Sequence, residues 1–256
     1  MSTKSNRRPQ GGVETITLGQ LLAHKFPRRE ALVAPWLRQG ESAMLWAAPG
    51  TGKTLLTLTI AVMVAGGGSV LGWTAERPRK VLLVDGEMSA EDLQERAQWL
   101  IGTVAGIDRD AAAANLHISS RNWQAAEVAF PDLGEREPAK ADRQAGQDVV
   151  FGEAVRCGAE LVLCDNFSTL VEVADENDAA SMNATLAFLL RLKQARIGCV
   201  LVHHSGKDGG TYRGSSKLAT TFEVIIGLKP LDARPQPMGP RSGSNGRSIE
   251  GSLARP

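Results

Sequence analysis

The run Ala48-Pro49-Gly50-Thr51-Gly52-Lys53-Thr54 constrains this chain more than any other stretch. It follows an apolar segment, Ser42 to Ala47, and leads into a mostly apolar run, Leu55 to Ala65. A strand that turns through two glycines into a helix brings several backbone N–H groups to one point. Gly50 and Gly52 allow this because they accept backbone angles that other residues resist. The first turn of the helix adds the positive end of its dipole, so the point attracts phosphate. Lys53 supplies a point charge for the terminal phosphates of a nucleotide, and the Thr54 hydroxyl suits Mg²⁺. Ala48 to Thr54 thus form the predicted binding loop for ATP, with Mg²⁺ as its companion. Ala47 stands where many such loops have a first glycine.

The rest of the chain alternates short apolar runs with helical patterns. Val81–Val84, Leu161–Cys164 and Cys199–Val202 are continuous apolar runs, as strands covered on both faces require. Leu116–Ile118 is a weaker strand, and Ile225–Leu228 another. Thr17 caps a short helix from Leu18, Ser89 caps a helix running to about Gly102 with Asp92 at its third position, and Ala184–Ala195 has helical spacing. Strands alternating with helices predict an α/β fold with a mostly parallel central sheet flanked by helices. Residues 1–16 read as a flexible tail and 17–229 as one domain; 230–256, rich in Pro, Gly, Ser and Arg, read as disordered. Asn122 to Gly146 is polar, broken by Pro131, Gly134 and Pro138, and reads as irregular.

Composition narrows the function classes. With 29 Lys and Arg against 28 Asp and Glu, the net charge is +1, which excludes a globally basic nucleic-acid coat. Three cysteines, none in a CxxC pair, argue against a disulfide framework and for a reducing, cytoplasmic setting. No apolar run approaches the ~20 residues of a membrane helix.

Several polar residues fall where strands end, which is where open α/β sheets bind ligands. Asp165 closes the run Leu161–Cys164 and suits the hydration shell of Mg²⁺. Glu87 follows Val81–Val84, a strand expected to lie beside the one that feeds the loop. A carboxylate there can orient an attacking water. Asp85 is expected to support Mg²⁺ or the loop. His203 and His204 end the run Cys199–Val202 on opposite sides of the strand. His204 is the one expected to touch the terminal phosphate. Arg213 follows the glycine-bearing stretch Asp208–Tyr212 and, on the sequence alone, reads as a surface arginine.

Together these motifs resemble the RecA-like P-loop ATPases, in particular the RepA-type hexameric replicative helicases of plasmids and their phage relatives. The resemblance spans about Leu18 to Lys229. It rests on the loop at Ala48–Thr54, on Leu71–Ser89, on Leu161–Leu170, on His203–Lys207 and on Arg213–Ser216. It implies a RecA-like ATPase core, a six-subunit ring as homo-oligomer, and single-stranded DNA in the central channel. It implies that Lys53 and Thr54 bind nucleotide and Mg²⁺, Asp165 assists the metal and Glu87 activates water. His204 would sense phosphate, and Arg213 would act on a neighbouring subunit's nucleotide.

The chain departs from that pattern in two places. Glu172, Asp175, Glu176 and Asp178 follow Asp165, where acids repel DNA phosphates. DNA contact is therefore implied by the resemblance and not by these charges. Beyond about Arg234 the sequence no longer follows the family's further strands, and 230–256 is expected to be a frameshifted or truncated tail. Two other functions share the same loop: a recombination or repair ATPase of the RecA/RadA type, and a regulatory or assembly ATPase acting on protein partners.

Overall fold

The computed structural model describes residues 15–121, 146–165, 179–204, 221–229 and 252–254; of residues 179–184, 204 and 252–254 it describes the backbone alone. The elements begin with α1 (Leu18–Ala23), β1 (Ala31–Val33), β2 (Leu37–Arg38), β3 (Ser42–Ala47) and α2 (Lys53–Gly66). They continue with β4 (Ser69–Val70), β5 (Trp73–Thr74), β6 (Val81–Asp85), α3 (Ala90–Thr103), α4 (Arg109–Asn115) and β7 (Leu116–Ser120). The remaining elements are α5 (Gly146–Cys157), β8 (Leu161–Asp165), α6 (Ala179–Gln194), β9 (Gly198–His204), β10 (Val224–Leu228) and β11 (Ser252–Ala254).

Seven strands form one sheet in the order β11-β10-β3-β9-β8-β6-β7. Every pairing from β10 to β7 is parallel, and β11 runs antiparallel along β10. This is the mostly parallel α/β sheet that the sequence predicts.

Alternation along each strand divides the core between the two faces of the sheet. Ala43, Leu45, Val81, Leu83, Leu161, Leu163, Val200 and Val202 face one cluster, together with α2, α3 and α4. Met44, Leu82, Val84, Val162, Cys164, Cys199 and Leu201 face the other, together with α5 and α6. With apolar residues needed on both faces, the strands read as unbroken apolar runs instead of alternating ones.

The helix α2 is buried on nearly every side: 12 of its 14 residues are buried, including Leu58, Ile60 and Met63. Each such side chain contributes about 1.5–3 kcal/mol by leaving water. Thr57 and Thr59 turn their hydroxyls back onto the carbonyls of Lys53 and Leu55, at 2.9 and 2.7 Å, so neither polar group is left unmet in the core. At Gly66 the helix comes so close to the next segment that an added Cβ would stand 2.7 Å from the Asp108 carbonyl. The capped starts of two helices agree with the sequence. Thr17 and Gln20 close a capping box on α1, and Ser89 accepts the Asp92 N–H at 3.1 Å on α3.

Two expectations change. The strand that precedes Glu87 is not beside the strand that feeds the loop. β9 and β8 lie between β3 and β6, because the chain crosses outward past the places those later strands fill. Within the segment expected to be disordered, Ser252–Ala254 pairs with Ile225–Gly227, covering the otherwise open edge of β10. The remainder of that segment and the irregular stretch 122–145 lie outside the described residues. Among the described residues, no helix is long and apolar enough to cross a membrane.

Candidate active site

The carboxyl ends of β3, β9, β8 and β6 meet at one edge, and the candidate residues gather there. β3 ends at Ala47, and the chain then turns through Gly50 at φ 76° and Gly52 at φ 93°, both in the region glycine tolerates best. A Cβ added at either glycine would meet nothing within 4 Å. The loop is therefore glycine-built for its backbone angles and for an open inner surface, as a phosphate cradle needs. Thr51 braces it by donating its hydroxyl to the Ala48 carbonyl at 2.7 Å. Gly52 caps α2 without a side chain, so the helix start relies on other partners.

Lys53 is buried, and its Nζ donates to the carbonyls of Ala47 and Ala48 at 3.0 and 2.9 Å. Burial pushes its pKa down, while the charges of Asp165 and then Glu87 push it back up. Both acids therefore lie within electrostatic reach of the ammonium. Thr54, the next residue, donates its hydroxyl to Asp165. Burial raises the Asp165 carboxyl to about 7; the Thr54 bond lowers it, Asp85 and Glu87 raise it, and Lys53 lowers it. Near neutral pH this carboxylate gains from any cation that approaches it.

Asp85 and Asp165 are register partners at the ends of β6 and β8. The Gly86 N–H continues the ladder by donating to the Asp165 carbonyl at 2.7 Å. The Asp85 carboxylate is buried, which raises its pKa, and it accepts from the backbone N–H groups of Met88, at 2.9 Å, and of Glu87. Ser120, at the end of β7, donates to it at 3.3 Å. Asp85 thus pins the turn that carries Glu87, whose own side chain is exposed beside the loop. The sequence gives Ser120 no signal as part of this arrangement, since 35 residues separate it from Asp85.

His203 is buried near the end of β9, in register with Trp46. His204 closes the same strand in register with Ala47, the residue from which the loop departs. Its side chain lies outside the described residues, as do Arg213 and the acids 172–178.

The donor set fits a nucleotide with Mg²⁺: an open glycine cradle, one buried ammonium, and a hydroxyl bonded to a carboxylate. No group of three or more His, Cys, Asp or Glu side chains among the described residues is arranged to hold a metal ion. Mg²⁺ needs no such cage, because it keeps water and phosphate oxygens as most of its ligands. The family model of the AAA domain matches residues 7–210. No curated protein gives a significant match to the chain.

Proposed function

Because the chain belongs to the AAA domain family, a family of P-loop ATPases that bind nucleotide with Mg²⁺, we propose that it is an ATP-driven RecA-like motor working on DNA as a replication helicase of the RepA type. The observation that carries the ATPase reading is the single charge-coupled cluster of Lys53, Thr54, Asp165 and Glu87 on the ligand-binding edge of the sheet. The ordered motifs from Ala48 to Ser216 support the DNA reading.

Bound ATP supplies a terminal phosphoryl group that is transferred to water. Around it, Gly50 to Lys53 direct backbone N–H groups at phosphate oxygens, and Lys53 neutralises charge that builds on them. Thr54 would offer its hydroxyl oxygen to Mg²⁺, and Asp165, which accepts from that hydroxyl, would orient it and hold the metal's waters. Glu87 accepts a proton from the attacking water at a carboxylate oxygen, and Asp85 keeps its turn in place. His204 reports the state of the phosphate to the segment after β9. Arg213 stabilises charge on a neighbouring subunit's nucleotide in a hexameric ring.

ATPase rates on size-fractionated oligomers, with and without single-stranded DNA, test the reading. A motor on DNA is stimulated by the strand, loses that stimulation steeply with salt, and displaces a strand from a tailed duplex. Stimulation without displacement would shift the reading to a recombination or repair ATPase. No response to DNA would shift it to a regulatory or assembly ATPase, consistent with acids at 172–178.

A further inference from the structure

The opposite edge of the sheet carries a second concentration of charge. Arg77 and Arg79 precede β6, Glu160 precedes β8, and Arg38 ends β2 just ahead of β3, so all lie at the amino ends of strands. A cavity of about 590 Å³ opens there, lined by Arg28, Arg29, Arg38, Arg77 and Arg79, with Glu30 and Glu76 as its only acidic lining residues among the described residues. At ~3.3 Å per residue, the length of β3 sets this cavity roughly 20 Å from the phosphate loop.

The charges do not cancel. Arg79 is 3 % exposed; it donates to Glu160 at 2.6 Å and to Glu30 and the Ala31 carbonyl at 2.9 and 3.0 Å. Arg77 donates to the same two glutamates. Those two arginines and two acids balance one another. Arg28, Arg29 and Arg38 remain, and their side chains make no hydrogen bond or ion pair among the described residues. Glu76 alone opposes them in the lining. The buried Arg79 also keeps an Nε that no acceptor meets among the described residues.

We propose that this cavity binds a di- or triphosphate group, at a site separate from the phosphate loop. Its volume is in the range of small-ligand pockets. Guanidinium forks take phosphate oxygens two at a time, and three arginines outside any ion pair among the described residues, opposed in the lining by Glu76, leave a positive excess for one polyphosphate. Among the described residues the lining offers no aromatic ring on which a base could stack, so the phosphoryl chain is the part recognised. The group's source is either free inorganic polyphosphate or the tail of a nucleotide.

Calorimetric titration of the full chain with tripolyphosphate tests this independently of the ATPase reading. The wild type should bind two per chain; Lys53→Ala should bind one. The triple variant Arg28→Ala/Arg29→Ala/Arg38→Ala should also bind one. These three side chains hold no other group in place, so the variant should fold normally and keep the parent's ATPase rate at saturating ATP. Combining both sets of changes should leave no measurable site, the cavity being weakened about 1000-fold at about tenfold for each of the three arginines. Stoichiometry unchanged by the triple substitution, or no site left in Lys53→Ala, overturns the proposal; a single wild-type site that Lys53→Ala keeps and the triple variant loses upholds it and counts against the loop instead. ATP titrated into Lys53→Ala separates the sources: equal affinity assigns the site to any polyphosphate, and tenfold tighter binding assigns it to a nucleotide.

Discussion

Among the described residues at the carboxyl edge of the sheet one base, Lys53, stands among three acids, Asp85, Glu87 and Asp165; at the amino edge Arg77 and Arg79 meet Glu30 and Glu160 one for one. The two edges share the same strands, but Asp165 and Asp85 are buried while Glu30 and Arg77 are half exposed. Burial and the pairing of charge both differ. Within the amino edge the four-residue ion-pair group is settled: Arg77 and Arg79 hold Glu30 below its ordinary value by hydrogen bonds and by charge. At the carboxyl edge burial, with Asp85 and Glu87 nearby, leaves the Asp165 carboxyl poised at about 7. Groups that brace a fold are matched internally, whereas groups that await a ligand keep an imbalance for it to relieve.

Substitutions should expose that difference, beginning with the largest effect. Lys53→Ala should abolish measurable turnover in a steady-state phosphate-release assay, because nothing else in the loop supplies its charge; wild-type turnover would remove the loop from the mechanism. Glu87→Gln should keep nucleotide binding, read by fluorescent-nucleotide titration, while slowing hydrolysis on the order of 10²–10⁴-fold. An equal loss of binding would instead make Glu87 a brace like the acids of the other edge.

The poised acid also has a signature in stability. The folded protein holds the Asp165 proton up to about pH 7, while the unfolded chain releases it near 3.8. In metal-free protein this group therefore costs nothing below about pH 4. Its penalty grows as pH climbs to about 7, reaching roughly 4 kcal/mol. Asp165→Asn should flatten that part of the melting-temperature profile, and an unchanged slope would show that Asp165 is not its source.

At the matched edge the expected effects are smaller and lie in the fold. Arg79→Ala should cost about 2 kcal/mol, because it takes the Arg79 donor from the Ala31 carbonyl and the buried one of two arginines from Glu160. Arg77→Ala, at a half-exposed side chain, should cost clearly less in the same denaturant titration; the reverse order would contradict the burial argument. Away from both edges, Ser89→Ala should cost about 1 kcal/mol through the lost cap of α3.

Much of the layer structure was legible because it depends on neighbours in sequence. Apolar runs at Val81–Val84 and Leu161–Cys164 became buried strands, and Ser89 and Thr17 became caps. The order of the strands was not legible: nothing near Val81 says that β8 and β9 will later enter between β6 and β3. α5 was also hidden, since Gly146 and Gly152 interrupt its helical composition. At the site, the loop and Asp165 could be named from local pattern. The support that Asp85 draws from Ser120 could not, and neither could the meeting of Arg79 with Glu30 and Glu160, whose members are 49 and 81 residues apart.

The bond from Gly86 to the Asp165 carbonyl has a mechanical consequence. It ties the tip of one strand to the tip of its neighbour, and the turn bearing Glu87 hangs from that knot by way of Asp85. A displacement of the β8 tip is thereby passed to the turn after β6 without any intervening hinge, so Asp165 and the turn that carries Glu87 move as one part.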